Sequence, residues 1–141
     1  MRSWFHQTYM YEDFNFETRK VLLSLHRRFS YRCEERSVGR TRVCYLMRTY
    51  VIKMPRCLNG MDDNDWEGSV SNLPNPDEEE IKYARTRLVY YQGIPLLFME
   101  RVQIPPGEDY KKFPVWIYSV DCQQVGYTKS GKLVAYDYGL W

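Results

Sequence analysis

Thr41-Arg-Val-Cys-Tyr-Leu-Met-Arg-Thr-Tyr-Val-Ile-Lys-Met54 is the stretch that decides the fold. Thr41 to Met47 and Tyr50 to Met54 are runs of β-branched, aromatic and long apolar residues. Met47-Arg48-Thr49 turns the chain between them, and Pro55, which cannot donate to a ladder, ends the second run. Upstream, Phe29-Ser-Tyr-Arg-Cys-Glu34 alternates in the same way and breaks at Ser37-Val-Gly-Arg40, so three consecutive antiparallel strands are predicted. Downstream, Ala84 to Tyr91 and Ile94 to Glu100 fold back on each other around Gln92-Gly93, a two-residue hairpin signal.

Between the two hairpins, Asp62-Asp-Asn-Asp-Trp-Glu-Gly-Ser-Val-Ser-Asn72 reads as a short helix with an acidic first turn and an Asp or Asn cap, Trp66 and Val70 forming its apolar side. Ahead of the sheet, Glu17 to Phe29 is the clearest helix, spanning about residues 15 to 29 with Asp13 or Asn15 as cap. Val21, Leu22, Leu25 and Phe29 share one face, and Arg19, Lys20, Arg27 and Arg28 the other. That basic side reads as a solvated face, with phosphate contact as the alternative. Leu73-Pro-Asn-Pro-Asp-Glu-Glu-Glu80 is a loop, and Glu108 to Trp116 has room for a helical turn or two.

The chain closes on a third hairpin. Gln124-Val-Gly-Tyr-Thr128 and Leu133-Val-Ala-Tyr136 flank the turn Lys129-Ser-Gly-Lys132, and the return strand delivers Asp137 ahead of Gly139. Asp-Tyr-Gly is an ordinary turn sequence and also a way to present a carboxylate to a metal or phosphate. Lys53, inside a strand on the same face as Val51, needs a carboxylate or phosphate to meet, and Glu67 is the candidate.

With 141 residues the chain fits one domain. Its 20 basic and 18 acidic residues leave a net charge of +2, which creates no field calling for a nucleic acid or a membrane surface. No apolar run approaches the ~20 residues of a membrane span, so a soluble, cytoplasmic protein is expected. Cys33, Cys44, Cys57 and Cys122 form no C-x-x-C pair and have two His for company, which points to reduced thiols rather than zinc. Thirteen Tyr and four Trp favour a ring-rich binding face.

The order of these features resembles the protein-kinase-like fold, in a small form similar to phage-encoded kinase-like proteins, over roughly residues 30 to 139. The resemblance implies an α+β fold: a twisted antiparallel sheet of about five strands with one packed helix, a C-terminal β-hairpin and an extra N-terminal helix. Residues 1–141 would form a single domain, with 1–30 a helical extension and 31–141 a kinase-like core lacking most of a C-lobe. It implies ATP and Mg as possible cofactors. Gly39 would lie in the glycine turn, Lys53 on the phosphates, Glu67 as its ion-pair partner, Phe98 near the gatekeeper, Met99 and Glu100 in the hinge, and Asp137 and Gln124 on the metal.

The pattern departs from the family where catalysis needs it. No His-Arg-Asp is present, Ser119 falls at the catalytic aspartate, and Asp121 is near but out of register. One Gly stands where three are usual. The reading that follows is a degenerate binding module, a small viral protein that engages a host or defence protein, with no specific nucleic acid or membrane partner. The alternatives are a reduced, active ATP-dependent phosphotransferase or nucleotide-binding regulator, and a structural domain in which Lys53 and Asp137 only form a buried ion pair.

Overall fold

The computed structural model describes residues 14–70, 81–104, 113–120 and 124–137, with the backbone alone at 118 and 119. The first element among the described residues is helix α1 (Phe16–Arg32), capped by Asn15, whose side chain accepts from the Thr18 N–H at 2.9 Å. Strands β1 (Glu35–Val38), β2 (Arg42–Leu46) and β3 (Tyr50–Pro55) follow, then helix α2 (Leu58–Val70), then β4 (Thr86–Tyr91) and β5 (Ile94–Glu100). A short 3-10 helix (Val115–Ser119) precedes the closing hairpin of β6 (Val125–Tyr127) and β7 (Leu133–Ala135). The fold is thus α+β: a five-stranded antiparallel sheet of order β1-β2-β3-β5-β4, with β6 and β7 as a separate two-stranded sheet.

Local turn chemistry explains the hairpins. Gln92 and Gly93 both have positive φ, 48° and 81°, the twist-matched turn that a two-residue connection prefers. Gly131 takes φ 87° in the last hairpin. Two expectations shift. Residues 29–34 were expected to be extended, but α1 continues to Arg32, which keeps Phe29 one turn below Leu25 and packs its ring edge-on to Tyr45 at 5.3 Å. Strand β1 begins only at Glu35 and is exposed throughout.

The sheet has two differently covered faces. On one, Val43, Tyr45, Ile52, Met54, Ile94 and Leu96 pack with Leu22 and Leu25 of α1. On the other, Leu97 and Met99 pack with Val70 of α2, Ile117 of the 3-10 helix, and Val125, Val134 and Ala135 of the closing hairpin. That hairpin is sewn on by the backbone: Gln103 and Tyr127 exchange both N–H···O bonds, and Ala84 donates to Ala135, which donates to Lys82. Gly126 allows the approach, since a Cβ there would sit 2.5 Å from Val102 Cγ2.

Helix α2 departs from the expected reading. It starts four residues earlier, at Leu58, has no acid in its first turn, and turns Gly60, Asp63, Asn64, Glu67, Gly68 and Val70 inward. Trp66, expected on the apolar side with Val70, is 46% exposed, as is Leu58 at 52%. The cause is Glu67, fully buried: once it points into the sheet, its neighbour Trp66, about 100° around the helix, is carried outward.

Candidate functional site

Two cations enter the space beneath α2 from adjacent strands. Lys53 on β3 is opposite Cys44 on β2, and strand alternation places Arg42, two residues before Cys44, on that same face. Both are buried, Arg42 at 6% and Lys53 at 4% exposure. Glu67 answers both. Its Oε1 and Oε2 accept from Arg42 Nη2 and Nη1 at 2.8 and 2.7 Å, a bidentate fork, while Oε2 also accepts from Lys53 Nζ at 3.0 Å.

The closing hairpin completes the cluster. Lys53 Nζ donates to the Tyr136 carbonyl at 2.6 Å, and Arg42 Nη2 reaches Asp137 Oδ1 at 3.0 Å. Asn64 fastens α2 beside it: its amide donates to the Lys53 and Pro95 carbonyls at 2.9 and 2.8 Å, and its Oδ1 accepts from Arg42 at 3.1 Å. On the residue before it, Asp63, the carboxylate accepts from Thr41 Oγ1 at 2.6 Å. Gly60 permits this seating, because a Cβ there would lie 2.2 Å from the Thr41 carbonyl oxygen.

The electrostatics balance. Burial works to raise the Glu67 pKa, but the Lys53 charge and the Arg42 hydrogen bonds outweigh it and hold the carboxyl below its ordinary range. Burial likewise works against the charge on Arg42, and Glu67 and Asp137 more than restore it. Two cations and two carboxylates therefore form a neutral set, with Glu67 ionised and both its oxygens engaged. It can anchor structure or bind an incoming anion by exchange, but Glu67 so held is no proton acceptor at neutral pH.

Of the expected site residues, Lys53, Glu67 and Asp137 are brought together. Gln124 is one backbone step away, its carbonyl accepting from the Tyr136 N–H at 3.1 Å. Gly39 lies exposed in the β1–β2 turn, where its N–H donates to the Arg42 carbonyl and its own carbonyl takes Arg56 Nη1. Met99 is buried within β5 between Val51 and Thr86. Glu100 accepts from the Arg85 N–H at 2.8 Å. Phe98 pairs with Ile52 and so stands on the face opposite Lys53, whose own neighbour on β5 is Leu97. Asp121 lies outside the described residues, as does the acidic loop at 77–80.

Arg42 was the residue the sequence reading missed. The signal was available: a cation at the second position of a predicted strand, on the face shared with Cys44, poses the same demand for a partner as Lys53 does. Cys33, Cys44 and Cys57 are free thiols. Among the described residues no helix is long and apolar enough to cross a membrane, and no three metal-ligating side chains gather. No family model, no curated protein and no solved structure matches this chain.

Proposed function

We propose that the chain is a degenerate kinase-like binding module, a small viral protein that engages and modulates a host or defence protein in the host cytoplasm, and not a phosphotransferase. One observation carries the reading: Arg42 stands between Glu67 and Asp137 and bonds both. Phosphoryl transfer rests on cations aimed at the phosphates and an acid left for the metal. Here the strand lysine shares Glu67 with a second cation, and the carboxylate at the metal-binding place is engaged by that same cation. A nucleotide and its metal would have to break an ion pair before binding.

Exposed rings supply the alternative use. Trp66 at 46% and Tyr90 at 60% flank Asp65, to which the Tyr90 hydroxyl donates. Aromatics held by a polar anchor are the side chains that dominate protein interfaces. The second reading, a reduced phosphotransferase using ATP and Mg, is favoured by the Lys53–Glu67 contact at 3.0 Å, the ion pair such an enzyme requires.

Labelled ATP and magnesium, incubated with pure protein and host lysate, separate the two. The expected result is no phosphate transfer to any protein and no shift in melting temperature with Mg-ATP. Transfer by the wild type that disappears in Asp137→Ala would restore the enzyme and end the proposal.

A further inference from the structure

The whole-chain charge of +2 conceals a strong local asymmetry. Helix α1 holds five of the chain's 20 basic residues, Arg19, Lys20, Arg27, Arg28 and Arg32, and one of its 18 acidic ones, Glu17. No acid occurs from Thr18 through Cys33. Because α1 buries Leu22, Leu25 and His26, the opposite stripe is fixed outward. At 100° per residue that stripe carries Lys20, Ser24, Arg27, Arg28 and Tyr31, all exposed; Arg32, exposed in the helix's last turn, lies 100° round from Tyr31 on the side of Leu25. Tyr31 is at its centre and is 90% exposed.

Strand β1 extends the patch. Arg36 Nη1 donates to Ser30 Oγ at 3.2 Å, which brings a further guanidinium against the last turns of α1. Burial first, and then the nearby Arg36 and Arg27 charges, push the His26 pKa down to about 4. From Lys20 to Arg32 the row runs about 18 Å. Lys20 is also over the Phe16 ring at 5.4 Å, which ties up the apolar residue at the row's N-terminal end.

We infer that this face, Arg27, Arg28, Arg32 and Arg36 around Tyr31, is a docking surface for single-stranded nucleic acid, held without sequence preference. Planar guanidinium forks suit phosphate oxygens, and an exposed ring among them offers a stacking platform to any base. A protein interface would also use Tyr and Arg, but its core is depleted of charge as a whole, whereas here cations line the stripe on both sides of Tyr31 and the exposed Phe16 ring lies under Lys20. The inference is independent of the ion cluster at Glu67 and stands whether or not the chain binds a protein elsewhere.

Fluorescence anisotropy with a labelled 12-residue oligonucleotide, as DNA and as RNA, tests it on the full chain. Four phosphate contacts on a single strand predict a salt slope near −3, hence about 50-fold weaker binding at 200 mM than at 50 mM salt. Arg28→Glu with Arg32→Glu should roughly halve that slope, and Tyr31→Ala should weaken oligonucleotide binding about 5- to 100-fold by removing the stack. Unchanged circular dichroism and melting temperature would show that these exposed changes leave the fold intact. Poly-glutamate and phosphatidylserine vesicles are the competing ligands. If either binds as tightly as the oligonucleotide, or if Tyr31→Ala leaves oligonucleotide affinity unchanged, the surface belongs to an acidic protein or a lipid and the inference fails; absence of oligonucleotide binding at 50 mM salt also refutes it.

Discussion

Replacing Glu67 by alanine should be the most damaging of the changes at the ion cluster. Glu67 is fully buried and compensates two buried cations at once, Arg42 through two bonds and Lys53 through one. Its removal leaves Asp137, 43% exposed and so partly screened, as the remaining carboxylate contact for Arg42. Breaking one partner out of a buried pair costs about 3–5 kcal/mol because the stranded charge stays desolvated. For a chain of this length that corresponds to a fall in melting temperature of about 10–15 °C. Lys53→Met should cost less, since Glu67 then keeps its bidentate arginine. Asp137→Asn should cost under about 1 kcal/mol, as the Asp137 carboxylate is 43% exposed and buried Arg42 keeps its two bonds to Glu67. Thermal melts of the three variants give an order, Glu67→Ala well below Lys53→Met and Asp137→Asn nearest wild type. A Glu67→Ala protein melting within about 3 °C of wild type would refute the account, because it would mean that the two cations reach water without their carboxylate.

The remaining expectations are simpler. His26 is buried against the Tyr45 hydroxyl at 2.7 Å, with its pKa lowered to about 4 from 6.5 by burial and then by Arg36 and Arg27. The unfolded chain therefore takes up a proton that the folded chain refuses, so stability is full above pH 6.5 and declines as pH falls towards 4. Melting temperatures at pH 7.5, 6.5 and 5.5 should fall for wild type and stay flatter for His26→Gln. Glu67, with its pKa depressed, adds stability above the ordinary carboxylate range that is lost only as pH falls below it, so a second decline belongs at more acid pH and should be missing from Glu67→Ala. Gly60→Ala puts a methyl 2.2 Å from the Thr41 carbonyl and should lower the urea midpoint sharply, whereas Gly68→Ala, meeting the Leu88 side chain at 3.1 Å, should be milder.

What could be read in advance follows from how local each signal is. The hairpins were legible because their turns are decided by two or four residues, as Gln92-Gly93 shows, with both φ values positive. The Lys53–Glu67 pair was legible because a strand-interior ammonium leaves few ways of being satisfied. The end of α1 was not, since Phe29, Tyr31 and Cys33 fit a period of two while Phe29 also extends the helical stripe from Leu25, and only Tyr45, distant in sequence, chooses between the two readings. Helix α2 was the hardest case. Its apolar Leu58 and Trp66 face out and its Asp63, Asn64 and Glu67 face in, so the ordinary rule that apolar residues mark the buried side gives the wrong rotation. Only the placement of Arg42 beside Lys53, which pairing across β2 and β3 decides, reverses it. It follows that α2 is docked by charge and hydrogen bonds, with Gly60 and Gly68 allowing close approach and Val70 its one buried large apolar side chain. Such a helix is sensitive to the protonation of a single carboxylate, whereas the α1 face meets acid through buried His26; because His26 loses its stabilising window below pH 6.5 and Glu67 only below the ordinary carboxylate range, falling pH should strain the α1 face first and loosen α2 from the sheet at more acid pH.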